Sequence, residues 1–70
     1  MRNLYKVTGF YVIEDAELES NTVVQDILLH WKPNYNLFPI SQISDRNNTK
    51  RPTVRRIVNR LIKCGVVERA

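Results

Sequence analysis

The sequence predicts a small, mostly α-helical domain with a minor β component. Three observations point that way. Apolar residues recur with the helical period at Val24, Ile27, Leu28 and Trp31, and again from Val54 to Ile62. Asn3 to Ile13 is instead rich in β-branched and aromatic residues, the composition of a strand. Finally, 70 residues of which 43% are hydrophobic, with two glycines and three prolines, suit one ordered domain with one small core.

Taken in order, "NLYKVTGFYVI" (3–13) is expected to be a strand, with Gly9 either a bulge or the centre of a tight hairpin. Residues 1–15 form this strand segment and 21–65 a three-helix core. "EDAELES" is acidic and has no clear period. It reads as a connector or a loose first helical turn, with Asp15 as a cap. "SNTVVQDILLHW" carries the first apolar stripe, so it is a helix begun by Ser20 or Asn21. Pro33 stops it, because proline lacks an amide proton and disfavours helix in the residue before it. "KPNYNLF" is a loop whose Leu37 and Phe38 return to the core.

"PISQISDRN" fits a second helix with Pro39 at its start and Ile40 and Ile43 inward. "NNTK" is a turn, since Asn47 and Asn48 tolerate the left-handed conformation. The third helix spans about 52–64. At about 100° per residue, Val54, Ile57, Val58, Leu61, Ile62 and Cys64 share one arc of roughly 160°. Thr53, Arg55, Arg56, Asn59, Arg60 and Lys63 share the opposite arc. Gly65 ends the helix and "VVER" reads as a short strand.

Charge divides the chain. Up to Asp45 there are three basic and six acidic residues, a sum of −3; from Arg46 onward there are eight basic and one acidic, a sum of +7. Charged helix faces usually mix signs, with acid and base four residues apart. Here no acid lies between Arg46 and Val67. Clustered cations repel one another unless an anion binds them, so the pattern points to a polyanion.

Other classes of function are poorly served. There is no Gly-rich phosphate loop, no pair of catalytic carboxylates and no nucleophile–base pair, so no enzyme, cofactor or metal is expected. The single Cys64 cannot form an internal disulfide; it is expected to be a half-buried structural thiol. His30 is expected at a helix surface, Trp31 and Phe38 in the core, and Glu14 to Glu19 in a solvated loop. No apolar run is long enough to span a membrane and no signal peptide is visible, which suggests a cytoplasmic protein.

"ISQISDRNNTKRPTVRRIVNRLIKCGVVER" resembles the helix-turn-helix of winged-helix transcription regulators of the broad MarR-like and GntR-like kind. The resemblance spans Thr22 to Arg69 and rests on Thr53, Val54, Leu61, Gly65, Val66, Val67 and Arg69, and on the spacing from Ile43 to Thr53. Two features depart from it. Asn47 and Thr49 stand where the family's turn carries buried aliphatics, which suggests a looser or longer turn. The family also continues into a wing hairpin, for which no sequence follows Ala70. The strand near Tyr5 to Ile13 is expected to pair with Val66 to Glu68 and replace part of that sheet.

The resemblance implies a transcriptional regulator that binds double-stranded DNA, often a repressor, with the third helix in the major groove. Thr53, Arg55, Arg56 and Asn59 would then reach base edges. Lys50, Arg51, Arg60 and Lys63 would hold phosphates, as would Ser41 at the start of the second helix. It also implies a symmetric dimer, for which the N-terminal strand edge or the Tyr5, Phe10, Tyr11 cluster is the candidate surface. The alternative is a protein-interaction module whose basic face meets an acidic protein. RNA binding ranks lower, because the basic face carries no aromatic residue on which unpaired bases could stack.

Overall fold

The computed structural model describes residues 3–9, 13–31 and 36–70. Its central strand comes from the start of the chain. β1 (Tyr5–Val7) lies between β2 (Leu37–Phe38) and β3 (Val67–Arg69) and runs antiparallel to both. The expected pairing of the two ends of the chain is therefore present. Tyr5 faces Arg69, Lys6 faces Glu68 and Val7 faces Val67. The amides of Thr8 and Ala70 donate to the carbonyls of Val66 and Leu4, each at 2.9 Å.

The strand is shorter than the expected 3–13, and Phe10 to Val12 lie outside the described residues. β2 was read as loop; two residues are too few to show alternation. Its register explains a second correction. Successive side chains of a strand point to opposite faces. Tyr5, Val7, Phe38 and Val67 face the core, while Lys6, Leu37 and Glu68 share the outer face. Leu37 is accordingly 47% exposed and is not a core residue.

Four helices, one more than expected, accompany the sheet among the described residues, so the fold is mixed α/β. The extra helix is α1 (Ala16–Glu19), a single turn. The Asp15 carboxylate accepts from the amides of Glu17 and Leu18 at 3.0 and 3.4 Å, and Leu18 anchors the turn in the core. α2 (Thr22–His30) is capped in the same way by Asn21 and buries Val23, Val24 and Ile27. Leu28 and Trp31 complete its apolar side, and Pro33 lies outside the described residues.

α3 (Ile40–Asn47) starts one residue later than Pro39, which is its cap, and buries Ile43 completely. The turn after it is tight, contrary to the expectation of a loose one. Asn48 alone adopts the left-handed conformation, at φ 49°. The Ser44 hydroxyl donates to the Thr49 carbonyl, and the Thr49 amide donates back to the Ser44 carbonyl at 3.1 Å. Asn47 stays helical; its side-chain amide donates to the Ile43 carbonyl and to Asp26. Polar side chains thus close the turn that aliphatics would otherwise fill.

α4 (Arg51–Lys63) lays Val54, Ile57, Val58 and Leu61 on this frame. Phe38 is the hub on the sheet side, with ring centroids 5.9 Å from Tyr5 and 5.5 Å from Trp31. Trp31 and Phe38 are core residues, as expected. Cys64 is not half-buried but exposed: the helix ends at this residue and Gly65, at φ 80°, turns the chain away. No helix among the described residues is long and apolar enough to cross a membrane.

Candidate nucleic-acid interface

The buried side of α4 fixes which residues it shows to solvent. With Val54, Ile57, Val58 and Leu61 inward, Arg51, Thr53, Arg55, Arg56, Asn59 and Lys63 are exposed and Arg60 is half-exposed. Residues four apart are neighbours on a helix surface. Arg51, Arg55, Asn59 and Lys63 therefore form one row, and Arg56 and Arg60 the next.

The helix ends reinforce the positive field. α1 and α2 carry side-chain caps, Asp15 and Asn21. α3 and α4 carry none, and neither has an acid in its first turn. Lys50 and Arg51 instead stand at the positive end of α4, where a cation is disfavoured and an anion is favoured.

Not every cation is free. Arg46 donates to the Asp26 carboxylate from Nε and Nη2, at 3.1 and 2.9 Å, and lies 5.2 Å from the Trp31 ring centroid. These hydrogen bonds from Arg46 hold the Asp26 carboxyl below the ordinary carboxylate range against the opposing effect of burial; Asn47 and His30 assist. Asp26 raises the Arg46 guanidinium in turn. His30 Nε2 is 3.4 Å from Asp26 Oδ1 on the exposed side of α2. Lys6 Nζ is 3.9 Å from Glu68 Oε2.

Arg60 is also occupied. Its Nη2 donates to Asp15 Oδ2, and its Nη1 is 3.6 Å from Glu17 Oε1. Partial desolvation acts to raise the Asp15 carboxyl, but the amides of Leu18 and Glu17 and the Arg60 guanidinium outweigh it and keep it low. The acidic segment is thus not a solvated loop held apart from the basic face: it takes one cation of that face. The side chains of Lys50, Arg51, Arg55, Arg56 and Lys63 make no ion pair or hydrogen bond among the described residues.

Of the candidate residues, Ser41, Arg51 and Arg55 meet along one cleft where the first turns of α3 and α4 approach β1. Lys50 lies on the other side of the turn, beside Ser44 and Asp45. Thr53, Arg56, Asn59 and Lys63 stand along the open face of α4. Sequence reasoning missed Asn3 and gave Tyr5 to a dimer surface; both line the same cleft as Ser41, a place that depends on the long-range pairing of β1. The dimer surface expected on the N-terminal strand is corrected: β1 is paired on both sides and has no free edge, and Tyr5 is buried. Phe10 and Tyr11, named with it, lie outside the described residues.

The chain matches no protein-family model, no curated protein and no solved structure.

Proposed function

We propose that the protein binds double-stranded DNA through the exposed face of α4, as a sequence-specific transcriptional regulator. One observation carries this reading. Among the described residues, Arg51, Arg55, Arg56 and Lys63 on α4 and Lys50 at its cap have no internal partner, while the chain's own carboxylates serve Lys6, Arg46 and Arg60. A row of unpaired cations fits a regular array of phosphates. The tight turn between α3 and α4 supports a helix-turn-helix arrangement in which the start of α4 leads into the major groove. Thr53, Arg55, Arg56 and Asn59 then face base edges, where Arg suits guanine and Asn suits adenine. Lys50, Arg51, Lys63 and Ser41 hold the backbone. Arg60 contributes less than its charge suggests, because Asp15 and Glu17 already engage it.

The test is a gel shift with random and site-selected duplexes. Arg55→Ala together with Arg56→Ala is expected to weaken binding to the selected site by about 2–6 kcal/mol and to relax its base preference. Unchanged binding by the double variant would remove the groove assignment.

A further inference from the structure

The cleft between β1 and the first turns of α3 and α4 has a volume of about 290 Å³. That is roughly ten times the ~30 Å³ share of one water, room for a tetrahedral anion and its hydration. Arg51, Arg55, Ser41 and Asn3 line it, and no carboxylate does among the described residues. None of these four side chains has an internal partner among the described residues. The most informative residue is Tyr5. It is only 4% exposed, its ring is fixed against Phe38, and it lines this cleft. Its hydroxyl has no hydrogen-bond partner among the described residues, yet no unpaired polar side-chain atom there is sealed from solvent. The hydroxyl of this buried core residue is therefore open to solvent, and the cleft that Tyr5 lines is also lined by Arg51 and Arg55.

We infer that this cleft is a phosphate site, in which the Tyr5 hydroxyl on β1 donates to the same phosphate oxygens that Arg51, Arg55 and Ser41 engage; Arg55, which lines the cleft, thereby moves from the base-edge set to the backbone. The site's chemistry stands on its own geometry; the nucleic-acid backbone as the source of the phosphate rests on the proposed function. The N-terminal strand is then part of the binding surface as well as the middle of the sheet.

The test uses the full chain and Tyr5→Phe, which removes only the hydroxyl and keeps the ring against Phe38. Amide chemical shifts are followed with sodium phosphate, with sodium chloride at equal ionic strength, and with a short duplex. Phosphate or duplex is expected to move the amides of Ser41 and Arg55 saturably, and Tyr5→Phe to weaken that binding about three- to tenfold. Should Tyr5→Phe fail to fold, Ser41→Ala reports on the same site from another element. If phosphate binds and the variant weakens it while no duplex binds at any salt, the phosphate site stands and the DNA reading fails. If phosphate does no more than chloride while the variant weakens duplex binding, the source is the nucleic-acid backbone. If the variant binds duplex and phosphate as the wild type does, the inference is overturned and the DNA reading survives.

Discussion

Asp26 shows how much one side chain can organise. Its carboxylate accepts from Arg46 and Asn47, so it joins α2 to the end of α3 beside the Trp31 ring. Asp26→Ala is expected to lower stability by about 1–2 kcal/mol in chemical denaturation, a modest figure because Arg46 is partly solvated. The carboxyl is held below its unfolded value of 3.8, so its stabilisation is complete above that value. It is lost as pH falls through the lower, folded value. Wild-type thermal midpoints should therefore fall on acidification below about pH 4, and those of Asp26→Asn should fall less. Asp15 makes a comparable link to Arg60 while capping α1. Asp15→Asn keeps a good cap and removes the charge. Together with Glu17→Gln, which removes the second carboxylate beside Arg60, it is expected to free Arg60 and to steepen the salt dependence of duplex binding by roughly one contact, about 0.9 in the log–log slope. Neither link was legible in the sequence: the pairs are separated by 20 and 45 residues, and nothing local marks a partner at such distances.

At the scale of elements, α4 was the most legible, because thirteen residues give the helical period several turns in which to repeat. α2 and α3 followed from the same signal with Asn21 and Pro39 as punctuation. β2 was illegible; its two residues become a strand only because β1 lies beside them. The polar turn was misjudged because side-chain hydrogen bonds, rather than apolar burial, close it. Two backbone positions carry predictions of opposite emphasis. Asn48→Val places a β-branched residue at φ 49° and is expected to destabilise by about 1–2 kcal/mol in denaturant unfolding. Asn48→Gly is expected to be close to neutral. At Gly65, φ is 80° and an added Cβ meets no atom within 4 Å, so Gly65→Ala should cost only the backbone term, about 1–2 kcal/mol.

At the scale of the whole molecule, the sheet holds a small core together by joining both ends of the chain, and the helices bury their apolar sides on it. The radius of gyration is 10.9 Å, against about 11 Å expected for a folded chain of this length. So small a core leaves little margin: Leu61→Ala, at a fully buried position, is expected to cost about 2–5 kcal/mol and to leave much of the chain unfolded at 37 °C by circular dichroism. The charge division visible in the sequence is only partly neutralised on folding, through Arg46 with Asp26 and Arg60 with Asp15 and Glu17, while Lys6 pairs with Glu68, the one acid of the basic part. Among the described residues, Lys50 and Arg51, Arg55, Arg56 and Lys63 of α4 remain unpaired, with Arg69 on β3, and the proposed function depends on those of α4. The most direct measurement is fluorescence anisotropy of a labelled duplex titrated with the protein over a range of salt. The four cations given to phosphates, Lys50, Arg51, Arg55 and Lys63, predict a log–log slope of about −3 to −4, diminishing by roughly one for each of Lys50, Arg51 or Lys63 replaced by Ala. A slope near zero, or a slope that those replacements leave unchanged, would contradict the account.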